Sequence, residues 1–192
     1  MRKITGFKLN LRRAEVKRRA KRAGLDLEAL GFGEAELQKL IQQAAKAIQA
    51  GVLYDTFKHP DMDAPALSPI PGLAYSLILA TLGPDFAPAK EKAAAQSPEM
   101  RALWEILEAV ALDEAVRFAT QLLEEEAAKA SCVLSPLNPI QDPAALDCAL
   151  RKLEGSKLDM SFREGRIEPP PSVAVSASWL AQSKARGKSK KD

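Results

Sequence analysis

The stretch that decides the fold is Ser97–Ser131, SPEMRALWEILEAVALDEAVRFATQLLEEEAAKAS. Ser97, Pro98 and Glu99 predict a helix start, because serine caps free N–H groups, proline fits the first turn and glutamate meets the positive end of the helix dipole. Apolar residues then recur at helical spacing, with one polar exception at Glu114. A continuous helix here would be roughly 50 Å long at about 1.5 Å per residue. We therefore expect the rest of the chain to pack on this helix.

The overall composition favours one soluble domain. Of 192 residues, 46 % are apolar and 5 % aromatic, which supports an aliphatic core and argues against wholesale disorder. No apolar run approaches the ~20 residues of a membrane helix, and the N-terminus lacks the apolar centre of a secretory signal. We expect a cytoplasmic protein without membrane contact, with a single domain over 1–180 and a disordered basic tail over 181–192.

Cysteine and histidine are too few for the common catalytic and metal sites. Cys132 and Cys148 form neither a disulfide framework nor a zinc spacing, and His59 is the only histidine. We expect two buried or half-buried thiols and no metal site. Because no residue pair resembles a general acid and its base, the sequence predicts no catalytic residue.

Charge is segregated along the chain. Residues 1–26 carry ten Lys/Arg and two acidic residues, whereas residues 180–192 carry five and one. The body between them is acidic, with 13 basic and 22 acidic residues. Basic ends favour nucleic acid or an acidic partner, although terminal charge runs are often only solvated. Since no aromatic platform is interleaved with the basic residues, binding of nucleic acid is an outside hypothesis.

The periodicities predict an α+β fold, in which a small antiparallel sheet packs against the long central helix and the N-terminal part is helical. Further helices are expected over 12–23, 33–51, 88–96 and 144–153. Strands are expected within 4–11, over 73–83, in a hairpin that turns at Glu164–Gly165, and over 172–179. The sheet is expected to combine the strand from Leu73 with the C-terminal hairpin, and Leu107 is expected to face it. Four prolines within 52–71 predict a connector there without a helix or a central strand.

Several short segments occur in a fixed order. They are Arg12-Arg13-Ala14-Glu15-Val16, Ala50-Gly51-Val52-Leu53-Tyr54, Thr81-Leu82-Gly83-Pro84, the long helix, and Pro169-Pro170-Pro171-Ser172-Val173. This ordered set, over roughly residues 10–180, resembles the small stand-alone relatives of the activation domain of vitamin B12-dependent methionine synthase. No single segment is specific, so the order carries the resemblance.

The resemblance implies a function in cobalt chemistry. The activation domain of that family binds S-adenosylmethionine and presents its methyl group to an oxidised corrinoid, which an added electron allows to be methylated again. The family's ligand loop follows the long helix. Its arginine holds the carboxylate of the ligand, its glycine allows close backbone approach, and its tyrosine shapes the pocket. The resemblance thus implies S-adenosylmethionine as ligand, a corrinoid reached only through a partner, and a corrinoid protein or methyltransferase as that partner.

The matching loop of this chain departs from the family pattern. It is Val133-Leu134-Ser135-Pro136-Leu137-Asn138. Val133 replaces the arginine and cannot form a bidentate pair with a carboxylate. Leu137 brings a side chain where the backbone should approach closely, and Asn138 lacks an aromatic ring. These changes count against S-adenosylmethionine as a ligand.

The loop still offers candidate ligand-binding residues, namely Ser135, Pro136 and Asn138, together with Ser172 of the last segment. Each polar one has a structural alternative, because serine and asparagine in loops commonly form local hydrogen bonds. Two hypotheses follow. The chain is either a corrinoid-linked accessory protein with a degenerate ligand loop, or a non-catalytic interaction subunit that docks on a corrinoid or redox partner.

Overall fold

A computed structural model of the chain describes residues 1–61 and 65–182, and it has the predicted α+β class. The helices are α1 (Arg13–Arg22), α2 (Glu34–Ala47), α3 (Phe86–Ala94), α4 (Pro98–Lys129) and α5 (Pro143–Lys152). The strands are β1 (Arg2–Thr5), β2 (Gly51–Lys58), β3 (Ala74–Thr81), β4 (Cys132–Leu134), β5 (Asn138–Pro139), β6 (Ser161–Arg163), β7 (Arg166–Glu168) and β8 (Ser172–Ala181). Short 3₁₀ turns lie at Pro65–Leu67 and Gly155–Leu158. None of the helices in the described part of the chain has the length and apolar character needed to span a membrane.

The long helix α4 begins where the sequence predicts. Ser97 Oγ accepts a hydrogen bond from the backbone N–H of Met100 at 3.2 Å, and Pro98 occupies the first turn. The two halves of α4 pack against different layers. Its first half contributes Leu103, Trp104, Leu107 and Val110 to a core shared with α1, α2 and α3. Its second half contributes Ala115, Val116, Ala119 and Leu123 to a core shared with the sheet. The expectation that Leu107 faces the sheet is therefore wrong, because the N-terminal helices cover that half of α4.

The main sheet is antiparallel, with the strand order β1-β2-β3-β8-β4, and β5 also pairs with β8. Strands β3 and β8 pair over eight residues, from Ala74 opposite Trp179 to Thr81 opposite Ser172. One face of this sheet packs on α4, and the other packs on α5 and the two 3₁₀ turns. The sheet is thus covered on both faces at its centre.

Three expectations about the strands and their neighbours are wrong. The segment 52–71 contains β2, which lies between β1 and β3 as a central strand. All of its prolines follow this strand, so they end it without interrupting the hydrogen bonds of the sheet. The helix expected to reach Gly51 ends at Ala47, because Gly51 begins β2. The hairpin of β6 and β7 turns at Glu164–Gly165 as predicted, but it forms a separate two-stranded sheet.

The C-terminal edge of the fold lies slightly beyond residue 180. Ala181 pairs with Cys132 in the sheet, and the N–H of Gln182 donates to the carbonyl of Ser131 at 3.0 Å. These two residues were expected in the basic tail. The rest of that tail, 183–192, lies outside the described residues. Both thiols are free, with Cys132 buried and Cys148 half-buried, as expected.

Candidate functional site

The loop 133–138, which the resemblance led us to expect as a ligand loop, lies along β8 at one edge of the main sheet. Ser135 is buried between β4 and β5 and bonds to β8. Its N–H donates to the carbonyl of Ser178 at 2.8 Å, and its hydroxyl accepts from the Ser178 N–H at 2.9 Å. The same hydroxyl donates to the carbonyl of Pro136 at 3.0 Å. Ser135 therefore fastens the loop to the sheet.

Asn138 lies in the same loop, on β5. It is opposite Ser176 of β8, and its side-chain amide donates to Ser176 Oγ at 3.5 Å. Ser172 is four residues away along β8, and its hydroxyl donates to Thr81 Oγ1 at 2.9 Å. Four residues of strand correspond to about 13 Å. The structure thus brings Ser135, Pro136 and Asn138 together, whereas Ser172 belongs to a different end of the strand.

The loop does not fit the carboxylate end of S-adenosylmethionine. Val133 and Leu137, where the resemblance implies an arginine and a glycine, have side chains that are 44 % and 38 % exposed. Neither can donate a hydrogen bond to a carboxylate. The amide of Asn138, in the position of the tyrosine, is held by Ser176. The residues present therefore offer an apolar surface where the resemblance implies a polar ligand site.

Two further exposed apolar residues, Ile70 and Leu73, lie at the same end of the sheet. Val133 pairs with Leu180 of β8, and Leu73 precedes the Ala74–Trp179 pair on the other side of β8. The Leu73 side chain is 65 % exposed, and its N–H donates to the Trp179 carbonyl at 2.9 Å. We call the exposed residues at this end of the sheet the edge patch; they are Ile70, Leu73, Val133 and Leu137. Exposed apolar patches of this kind commonly mark sites of protein contact.

The basic N-terminal segment is largely paired within the protein. The ion pairs of α1 and its entry are Arg12–Glu114 at 2.7 Å, Arg13–Glu34 at 3.0 Å, Lys17–Glu34 at 2.7 Å, Arg18–Glu15 at 2.6 Å and Arg19–Glu15 at 2.8 Å. Hydrogen bonds from Arg18 and Arg19 lower the pKa of Glu15 to about 2. Cations that are already paired attract nucleic-acid phosphates less strongly, which weakens the outside hypothesis.

A partly buried polar cluster that the sequence did not reveal joins α5 to β3 and to the segment after β2. The Tyr75 hydroxyl donates to the carboxylate of Asp61, and Lys152 Nζ lies 2.7 Å from the same Asp61 oxygen. Burial, and then the hydrogen bond to Asp61, raise the pKa of Tyr75. Lys152 Nζ also lies 5.3 Å from the centre of the Phe57 ring. The cluster fastens the segment after β2 to β3 and α5, so we assign it a structural role.

A cavity of about 800 Å³ lies at the other end of β3 from Leu73, between β1, the end of α2, the turn after β3 and the turn at Gly155–Leu158. Its charged lining consists of Lys3, Lys8, Lys46, Lys157 and Asp159. Its apolar lining includes Phe7, Leu9, Ile48, Ala50 and Leu158. None of the four candidate residues from the sequence lines it. The excess of basic residues over 1–26 includes Lys3 and Lys8 of this lining, but the charge pattern alone did not indicate a cavity.

No group of three or more His, Cys, Asp or Glu side chains in residues 1–61 and 65–182 is arranged to hold a metal ion. No protein-family model matches this chain, and no curated protein matches it. Its function must therefore be inferred from its own residues and their geometry.

Proposed function

We propose that this chain is a corrinoid-linked accessory protein, built on a scaffold similar to the S-adenosylmethionine-binding activation domain of B12-dependent methionine synthase and carrying a degenerate ligand loop. Fold alone does not determine function. The support comes from where the segments that carry the resemblance lie in space.

The observation that supports the proposal most is that three of these segments meet at the end of β3. The N–H of Leu82 donates to the Pro171 carbonyl at 2.9 Å, and Ser172 Oγ donates to Thr81 Oγ1 at 2.9 Å. The N–H of Gln49, next to the segment 50–54, donates to the Leu82 carbonyl at 2.8 Å. Pairing of the neighbouring strands β2, β3 and β8 brings these segments together, and we take this junction as the part of the scaffold to which the resemblance refers.

The first segment has a comparable role in the helical layer. Arg12 bonds to Glu114 of α4, Glu15 accepts hydrogen bonds from Arg18 and Arg19, and Val16 is fully buried. The Arg-Arg-x-Glu-Val pattern therefore orients α1 on the long helix. It supports the scaffold and contributes no ligand-binding group.

The second candidate function is that of a non-catalytic interaction subunit that docks on a corrinoid or redox partner. The edge patch favours it, because Val133 and Leu137 are exposed apolar side chains where the resemblance implies ligand-binding residues, and Leu73 is exposed at the same end of the sheet. Under this hypothesis the surface that contacts a small ligand in relatives contacts a protein here.

Calorimetric titration with S-adenosylmethionine separates the two hypotheses. We expect no detectable binding to the natural chain, because a lost charge-assisted pair alone costs about 1.5–3 kcal/mol, or about ten- to a hundredfold in affinity. The matched variant is Val133→Arg/Leu137→Gly/Asn138→Tyr. Binding by this variant alone supports a family scaffold that has lost its ligand. Micromolar binding by the natural chain contradicts the interaction-subunit hypothesis.

The partner is tested with a purified, cobalamin-loaded corrinoid protein. Affinity is measured by biolayer interferometry for the natural chain, for Leu73→Ser/Val133→Ser and for Leu30→Ser. Leu30 is an exposed leucine outside the edge patch and serves as the control. We expect about tenfold weaker binding for the edge-patch variant only, as expected for loss of two apolar contacts. No binding by the natural chain contradicts the proposed function.

A further inference from the structure

The lysine-lined cavity is a second candidate site, and the inference drawn from it does not depend on the proposed function. Its volume of about 800 Å³ lies within the range of about 300–1,000 Å³ that is typical of small-molecule sites. Its lining comes from four separated parts of the chain, namely 3–9, 42–51, 81–84 and 157–159. These parts belong to β1 and the loop after it, the end of α2 and the start of β2, the turn after β3, and the turn at Gly155–Leu158.

The charges in this cavity are not balanced. The Lys3 ammonium group donates to the backbone carbonyl of Lys157, and because a carbonyl carries no net charge, the charge of Lys3 stays uncompensated. The Lys157 ammonium group pairs with the Glu154 carboxylate at 2.8 Å. The ammonium groups of Lys8 and Lys46 make no ion pair or hydrogen bond with any residue that the structure describes. The four lysines of the lining carry four positive charges, and Asp159 and Glu154 carry two negative charges, so the local net charge is +2. Such a cluster attracts and concentrates anions.

Much of the uncharged lining is apolar, and two of its apolar side chains are fixed by close packing. The ring of Phe7 stacks on Phe118 with 4.4 Å between the ring centres, so its position is set by the long helix. Leu158 is buried, and it packs so closely on Gly51 that a Cβ there would lie 2.8 Å from Leu158 Cδ2. The site thus combines a basic rim with a preformed apolar floor. A fitting ligand needs both an anionic group and an apolar body.

We propose that this cavity binds a phosphate ester with an apolar or aromatic body. A phosphate monoester carries about two negative charges at neutral pH, which matches the local excess of two positive charges. All the cations lining the cavity are lysines, which bind phosphate as compact point charges, whereas carboxylate recognition favours the planar fork of arginine. The ester could carry a nucleoside or an alkyl body, and both share this phosphate chemistry.

Calorimetry tests this proposal with adenosine monophosphate, hexyl phosphate, inorganic phosphate, adenosine and hexanol as the probes. The cavity variant is Lys8→Ala/Lys46→Ala. The control variant is Lys21→Ala/Arg22→Ala, which removes two exposed cations of α1 outside the cavity. Since all four side chains are exposed, both variants are expected to fold, and thermal unfolding without ligand verifies this.

We expect at least one phosphate ester to bind more tightly than inorganic phosphate and than its unphosphorylated counterpart. We expect its affinity to fall about tenfold or more in the cavity variant and less than about twofold in the control, where only screened long-range charge is lost. The tighter of the two esters identifies a nucleoside or an alkyl body. Absence of binding by both esters, equal losses in the two variants, or equal affinity for the unphosphorylated compounds would overturn the proposal.

Discussion

Arg12 binds Glu114 through two hydrogen bonds, from Nη2 at 2.7 Å and from Nε at 3.2 Å, across 102 residues of sequence. The Glu114 side chain is only 8 % exposed. It is the polar exception in the apolar stripe of α4, and a buried carboxylate is tolerated only when it is paired. Arg117, on the next turn of α4, supplies a second partner. Glu114, which interrupts the apolar pattern of α4, thus holds the start of α1 against the long helix.

Replacement of the cation tests this contact directly. We expect Arg12→Ala to lower the free energy of unfolding by about 1–3 kcal/mol, because it leaves a buried carboxylate with one partner fewer. Urea denaturation at neutral pH measures the change. The control is Arg13→Ala, which breaks an exposed pair with Glu34 and should cost less than about 1 kcal/mol. Equal losses in the two variants would contradict the special role of Arg12.

Three paired carboxylates, those of Glu114, Glu34 and Glu15, make the stability of the fold sensitive to acid. Burial alone would raise the pKa of Glu114, but hydrogen bonds from Arg117 and Arg12 outweigh it and lower the pKa below its ordinary value. A hydrogen bond from Lys17, and then the charge of Arg13, lower the pKa of Glu34. Hydrogen bonds from Arg18 and Arg19 lower that of Glu15 to about 2.

A carboxylate with a lowered pKa in the folded state stabilises the fold fully above its unfolded pKa, and this stabilisation is lost as the pH falls towards the folded pKa. We therefore expect the free energy of unfolding to decrease from about pH 5 downward. Urea denaturation over a pH series measures it. Glu114→Gln should flatten this dependence, whereas Glu28→Gln, at an exposed position, should leave it unchanged. If the free energy of unfolding of Glu114→Gln fell with decreasing pH as steeply as that of the natural chain, the Glu114 carboxylate would not be the cause of the acid sensitivity.

The parts of the fold that the sequence predicted depend on local signals. The start of α4 at Ser97 and the start of α5 are both set by side-chain caps, with Asp142 accepting from the Ala145 N–H at 2.8 Å. The turn at Glu164–Gly165 is equally local. Strand β2 was missed because Gly51–Tyr54 is buried without alternation. A central strand that is covered on both faces lacks the alternating pattern that identifies a strand.

The functional features were harder to predict, for a related physical reason. The resemblance located Ser135 and Asn138 on one loop, but their hydrogen bonds to Ser178 and Ser176 depend on a strand that lies 38 to 43 residues away. Neither the edge patch nor the lysine-lined cavity is contained in a single segment. Both are products of tertiary contacts that no local pattern encodes.

The revised position of Leu107 leads to a test of the helical core. It is fully buried among the helices, so Leu107→Ala should lower the free energy of unfolding by about 2–5 kcal/mol through the lost side chain and the remaining cavity. Thermal and urea unfolding both measure this effect. Leu73→Ala, at an exposed position, is the control and should change stability by less than about 0.5 kcal/mol. A small effect at Leu107 would contradict its place in this core.

The outside hypothesis of nucleic-acid binding has its own test. Because most cations of α1 are paired internally, we expect at most weak binding to duplex DNA, steeply reduced as salt rises from about 50 to 200 mM. Fluorescence anisotropy measures it for the full chain and for a chain that ends at Gln182. Tight binding by the shortened chain at the higher salt concentration would support a nucleic-acid function for the folded part.

Gly83 offers the sharpest test of the junction at which the three segments meet. Its φ of +86° is in the left-handed region, and an added Cβ would lie 2.8 Å from the Cβ of Gln49 and 3.0 Å from its carbonyl oxygen. Gly24 has a φ of +75° but nothing within 4 Å of an added Cβ. Gly24→Ala should therefore cost about 1–2 kcal/mol from backbone strain alone, and Gly83→Ala should cost about 1–3 kcal/mol more because of the steric clash. Urea denaturation of both variants measures the difference. Equal costs would mean that the segment around Gln49 yields without resistance, which would contradict close packing at this junction.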